Sequence, residues 1–96
     1  MNGNMAWYSG ELLTASREIV YVSLQYRLGP LGFMFVPHSD MEGNYGLMDQ
    51  QMAIKFIYDH AHQIGGDKNR ITISGESAGS ISSSLQMLNP TTGTFC

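Results

Sequence analysis

Apolar positions along the chain follow two periods. Between Glu18 and Tyr26 the run Ile19-Val20-Tyr21-Val22-Ser23-Leu24 is β-branched and aromatic and apolar on both faces, the pattern of a strand buried in a parallel sheet. From Gly46 to Ile64 the spacing changes: Ala53, Phe56, Ile57, His60, Ala61 and Ile64 recur every three or four residues, and Gly65-Gly66 follows. That predicts an amphipathic helix with a glycine stop. Arg70-Ile71-Thr72-Ile73-Ser74 predicts a second, short strand. Ala78 to Leu88 predicts a second helix, ended at Asn89-Pro90 because the residue before a proline resists the helical region. Upstream, Ser9 to Ala15 predicts a short helix with Leu12 and Leu13 turned inward. The stretch from Arg27 to Tyr45, punctuated by Gly and Pro, is longer than an ordinary connection and is expected to be irregular or to form a functional surface.

Strand, helix, strand, helix in this order implies parallel pairing through right-handed crossovers, and so an α/β fold. No repeat or linker interrupts it. Yet two strands and two or three helices would leave a parallel sheet with bare edges and thinly covered faces. The expectation is therefore a piece of a larger domain.

Composition narrows the function classes. With 5 Lys/Arg against 8 Asp/Glu and a net charge of −3, the chain has no basic cluster to neutralise a run of phosphates, so nucleic acid is not an expected partner. Its longest apolar runs, Ile19 to Val22 and Leu31 to Val36, fall far short of the roughly 20 residues that cross a bilayer, so no membrane span is expected. The first five residues have neither the basic nor the apolar region of a secretory signal; the expectation is a cytosolic chain or a true N-terminus further upstream. The lone Cys96 offers neither an internal disulfide nor a thiolate metal site. Asn69 and Asn89 both fail the glycosylation pattern.

Candidate chemistry lies at Gly75-Glu76-Ser77-Ala78-Gly79, a Gly-x-Ser-x-Gly between a predicted strand and a predicted helix. At ordinary Gly and Ser usage the bare motif arises by chance in roughly 3% of chains this long, so its context carries the weight. A nucleophile elbow needs that strand-turn-helix setting: the serine sits in a strained turn with Oγ clear of the sheet, and the glycines allow close backbone approach. The following helix aims unpaired N–H groups at a developing oxyanion, Ala78 N–H first.

The stretch Gly65-Gly66-Asp67-Lys68-Asn69-Arg70-Ile71-Thr72-Ile73-Ser74-Gly75-Glu76-Ser77-Ala78-Gly79 resembles the active-serine signature of the type-B carboxylesterases and cholinesterases. Tyr26-Arg27-Leu28-Gly29 with Gly32-Phe33, Gly43-Asn44-Tyr45-Gly46-Leu47-Met48-Asp49-Gln50, and Tyr8-Ser9-Gly10 resemble further family segments in the right order. The resemblance implies a partial α/β-hydrolase fold and ester hydrolysis through an acyl-serine. It assigns Ser77 as nucleophile, the Ala78 N–H as an oxyanion donor, Glu76 as a carboxylate beside the pocket, and Arg27 with Asp49 as a buried ion pair. Ile64 stands where the signature usually has Phe, a change of packing. A small-molecule carboxylic ester is the implied substrate, broad rather than choline-specific, with no metal or organic cofactor. Secreted or endomembrane residence is implied by the family alone. Oligomeric state is not implied.

A serine hydroxyl needs a base and a group to orient it. In α/β-hydrolases these follow the serine, acid before histidine, but residues 78–96 hold no Asp, Glu or His. No His-Gly-Gly run supplies a second oxyanion donor. Residues 1–96 are thus expected to be part of a type-B carboxylesterase domain, inactive in isolation. His60 and His62, at i and i+2, face apart on a helix and suit packing or surface roles, as does His38 in its loop. Met48 and Met52 read as core filler. Two other classes stand beside the enzyme: a cholinesterase-like adhesion domain that has lost catalysis, and a truncated pseudogene product.

Overall fold

The computed structural model describes residues 9–95, so Trp7, Tyr8 and Cys96 lie outside the described residues. Four α-helices follow in order: α1 (Glu11–Ser16), α2 (Gly29–Phe33), α3 (Tyr45–His60) and α4 (Ala78–Leu88), with 3₁₀ turns at Ala61–Ile64 and Thr92–Thr94. The two long helices match their sequence signals closely. Asn44, at φ 58°, opens α3, its carbonyl accepting the N–H groups of Leu47 and Met48. The predicted glycine stop follows: Gly65 takes φ 80°, and the Gly66 N–H donates to the Ala61 carbonyl at 2.8 Å. α4 ends where Asn89 turns extended before Pro90, and Asn89 Oδ1 then accepts the Thr91 N–H at 2.9 Å.

α3 buries Gly46, Gln50 and Ile54, a stripe at four-residue spacing. α4 turns Ala78, Ser82 and Gln86 inward at the same spacing. Other stripes point outward, opposite the buried one on α3, where Met48, Met52 and Phe56 are exposed, and about a quarter-turn from the buried one on α4, where Ile81, Leu85 and Leu88 are exposed. Met48 and Met52 are therefore not core filler, and from the predicted apolar face of α3 only Ala61 is fully buried while Phe56 and Ile64 are exposed. The interior is small and partly polar, with Ile54 and Ala61 its buried apolar residues among those described.

Neither predicted strand forms among the described residues. Residues 18–26 and 70–74 carry no ladder of backbone hydrogen bonds to each other, and Ile19, Val20, Tyr21 and Val22 are exposed. Branched and aromatic side chains favour an extended backbone, but a strand exists only when a neighbour takes its N–H and C=O groups. The α/β expectation is thus met here in its helices alone. α1 does form, but no residue of it is buried, and Leu12 and Leu13 are 86% and 52% exposed rather than turned inward. A six-residue helix has too little face to hold both leucines against a neighbour that is itself extended and exposed.

α2 occupies part of the stretch expected to be irregular, opened by Pro at its first turn. It packs on α3 around one atom, the carbonyl oxygen of Arg27. A Cβ on Gly46 would lie 2.5 Å from that oxygen and 2.6 Å from Phe33 Cζ, and a Cβ on Gly32 would collide with the same carbonyl. In an open helix Gly→Ala gains about 1 kcal/mol. Here the obstacle is backbone, which cannot swing aside, so Gly46→Ala is expected to destabilise by about 1–3 kcal/mol. A urea midpoint that rises in this variant of the natural protein would refute the contact.

Candidate active site

The turn from residue 74 into α4 is tight because two backbones touch. A Cβ on Gly75 would lie 2.8 Å from Gly79 Cα and nearer still to the Gly79 carbonyl group, whereas a Cβ on Gly79 would meet open space among the described residues. The two motif glycines therefore differ: the first permits the close approach, and the second is the surface approached. Three hydrogen bonds lock the turn. Gly79 N–H donates to the Glu76 carbonyl at 2.8 Å, and the Ser77 carbonyl accepts from Ser80 N–H at 3.0 Å and Ile81 N–H at 3.3 Å.

This closure puts Ser77 at φ 54°, ψ −115°, a conformation that strains any residue with a side chain. Serine at a helix N-cap ordinarily turns its hydroxyl back to accept a backbone N–H. Ser77 does not: its side chain makes no capping bond, and among the described residues Oγ has no hydrogen-bond partner. The Ala78 N–H, first in an 11-residue helix, likewise meets no acceptor among them. Among the described residues an unpartnered hydroxyl thus precedes an unpartnered donor at the positive end of a helix dipole, where a forming anion is stabilised.

Glu76 is exposed, and its carboxylate forms no hydrogen bond among the described residues. No described histidine or carboxylate hydrogen-bonds Ser77. His60 Nδ1 lies 2.8 Å from the Phe56 carbonyl, its ring stacked 4.2 Å from that of Phe56, which is the packing role expected of it. His62 lines an open groove with Tyr58, Asp59 and Lys68, and His38 sits in its loop at φ 60°. Among the described residues no three His, Cys, Asp or Glu gather as metal ligands.

Arg27 and Asp49 do pair. The Arg27 backbone N–H and Nε donate to Asp49 Oδ2 at 3.0 and 2.8 Å, and Nη2 donates to Oδ1 at 2.7 Å. The pair is more exposed than the resemblance implied, at 54% for Arg27 and 24% for Asp49, because the described residues cover only one side of it. The side-chain hydrogen bonds from Arg27, then its backbone N–H, hold the Asp49 carboxyl down at about 2 against an ordinary 3.8. A depressed carboxyl contributes stability that is complete above its ordinary value and lost as pH falls through the lowered one. Wild type should therefore lose stability more steeply than Asp49→Asn between the ordinary 3.8 and the lowered value of about 2, as read by acid titration of fluorescence. Parallel titration curves would remove the pair from acid unfolding.

One cluster escaped the sequence reading. Gln50, Gln86 and Thr92 are buried between α3, α4 and the last 3₁₀ turn and bond to one another. The available signal was the four-residue register joining Gln86 to Ala78 and Ser82, masked by the larger residues Ile81, Leu85 and Leu88 on the neighbouring stripe of α4.

Comparison with known proteins bears on both ends of this geometry. The Carboxylesterase family matches residues 1–95. Bile salt-activated lipase of Bos taurus is 46% identical over 83 residues, covering 86% of this chain and 14% of the lipase. Acetylcholinesterase of Gallus gallus is 45% identical over 84 residues, covering 86% of this chain and 11% of that protein. Juvenile hormone esterase of Tribolium castaneum is 41% identical over 83 residues, again 86% of this chain and 14% of the relative. No solved structure matches. The chain thus spans about a seventh or less of each of these relatives. Matched along nearly its whole length, with several family segments in order around Ser77, the chain belongs to the Carboxylesterase family.

Proposed function

We propose that Ser77 is the nucleophile of a carboxylic ester hydrolase, and that residues 1–96 form part of a type-B carboxylesterase domain of α/β-hydrolase fold. The observation that carries this reading is the strained Ser77, whose Oγ and the adjacent Ala78 N–H have no partner among the described residues. As a base takes the Oγ proton, Oγ bonds to the ester carbonyl carbon and the carbonyl oxygen becomes an anion facing the Ala78 N–H. Collapse breaks the bond to the alcohol, which leaves with that proton, and an acyl-serine forms. Water, deprotonated by the same base, adds to the acyl carbon; the carboxylic acid departs and Oγ regains its proton. The base, its orienting acid and a second oxyanion donor come from outside the described residues. Glu76 contributes a carboxylate at the rim of the pocket.

Relatives named as a lipase, an acetylcholinesterase and a juvenile hormone esterase support a small-molecule ester as substrate. We favour broad carboxylester specificity and secreted or endomembrane residence; the latter rests on family alone. The outward stripes Met48-Met52-Phe56 and Ile81-Leu85-Leu88 support embedding in a larger body, since apolar faces of that kind ordinarily lie against another layer. A purely adhesive role has no observation in its favour. Fluorophosphonate labelling of the natural protein, followed by peptide mapping, tests the proposal: the adduct should sit on Ser77. Recovery of that peptide unlabelled from folded protein would sink it.

A further inference from the structure

The cluster of Gln50, Gln86 and Thr92 is at least as fully buried as Ile54 and Ala61, the buried apolar residues of the described interior. Thr92 is completely inaccessible, Gln86 is 3% and Gln50 4% exposed, and among the described residues no buried side-chain polar atom is left without a partner. Gln86 is its centre. Its Nε2 donates to the Leu47 carbonyl at 2.9 Å and to Gln50 Oε1 at 3.3 Å, and its Oε1 accepts from Thr92 Oγ1 at 2.8 Å. One side chain on α4 thus grips the first turn of α3 with its donor end, while the 3₁₀ turn after α4 holds its acceptor end.

We infer that Gln86, fixed by Thr92, is a positioning residue that sets the angle of α4 against α3 and thereby the placement of Ser77 and the Ala78 N–H. This rests on the reading of Ser77 as nucleophile. α4 is held near its start by the Gly75–Gly79 contact, and that contact is steric, so it limits approach without fixing tilt. The hydrogen bonds at that start are local to the turn, and those that join α4 to α3 sit near the other end of the helix. Ala78 and Gln86 are eight residues apart, about 12 Å at the usual rise. A tilt of about 3° at the anchor moves the elbow by about 0.6 Å, comparable with the ~0.5 Å tolerance of a catalytic constellation. Thr92 removes the freedom that would allow such tilt, because its hydroxyl occupies the one acceptor that lets the Gln86 amide present its NH₂ to α3. Loose packing could not replace this: the α4 residues that share this face with Gln86, Ala78 and Ser82, are small.

The test uses the full-length natural protein with Thr92→Val, Thr92→Ser and Gln86→Leu. The readouts are the rate constant for phosphonylation of Ser77 by a fluorophosphonate, in which Oγ displaces fluoride from phosphorus, and kcat and KM for a p-nitrophenyl ester normalised to titrated sites. Thr92→Val is expected to slow phosphonylation and kcat by about 10- to 100-fold with KM within about twofold, as a misplaced reacting group does. Thr92→Ser, which restores the donor, is expected to recover to within about threefold of wild type. A merely structural role would lower the number of titrated sites and leave the rate per site unchanged. Thr92→Val folded and phosphonylated at the wild-type rate, or Thr92→Ser as slow as Thr92→Val, overturns the inference. Should Gln86→Leu not fold, the Thr92 pair decides alone. A Ser77→Ala control that still labels would instead overturn the nucleophile reading, so the two failures are distinct.

Discussion

Replacing Ser77 with alanine or with glycine is expected to reduce ester turnover by about 10⁴-fold or more and to abolish fluorophosphonate labelling, while the two variants part in stability. Both lack the nucleophile. Only glycine accepts φ 54°, ψ −115° without steric cost. Strain of this kind costs about 1–3 kcal/mol, and the added freedom of glycine in the unfolded chain gives back about 0.4–1 kcal/mol. Ser77→Gly should therefore exceed Ser77→Ala in stability by about 1 kcal/mol, read as a higher urea midpoint at unchanged slope. Equal midpoints would mean that the turn holds no strain at this residue, and undiminished turnover in either variant would place the chemistry elsewhere.

The second large effect is expected from Gly75→Ala. The added methyl would press on the Gly79 backbone, and neither partner has a side chain to rotate away. The turn must open, which draws Ser77 off the start of α4 and weakens the three hydrogen bonds that lock it. Overpacking of this sort costs about 1–3 kcal/mol, and a displacement near 1 Å at a reacting atom costs about 10²-fold in rate. Both should appear together: a lower urea midpoint, and acylation of Ser77 at least about a hundredfold slower per folded molecule. Slow acylation without lost stability would point to a blocked pocket, and full activity would show that the elbow does not depend on the contact.

The contrast between these two glycines was only half legible in the sequence. Gly-x-Ser-x-Gly announced a close approach, and Gly75 makes it, but the motif did not say that Gly79 would be the surface touched. α3 and α4 were readable almost to the residue because their signals are local: three- and four-residue spacing, a glycine stop and a proline stop. The extended segments 18–26 and 70–74 were not, because β-branched composition reports a backbone preference, whereas pairing depends on segments far away in the chain. α2 was hidden by its Gly-Pro start, which reads as a turn from sequence yet suits a first helical turn. Gln50 and Gln86 were passed over because an amide is ordinarily a surface group. Their burial depends on two partners, Leu47 O and Thr92 Oγ1, that no local pattern brings together.

The unused hydroxyl of Ser77 also bears on how the molecule passes through a reaction cycle. Most serines that begin a helix are part of its hydrogen-bonding, and an ester at such an oxygen would compete with the bond it makes to the first turn. At this position the first turn is closed by the Glu76 and Ser77 carbonyls instead. An acyl group could come and go at Oγ without removing a single bond from the helix, so the covalent intermediate and the free protein would share one scaffold, with no refolding of that turn between them.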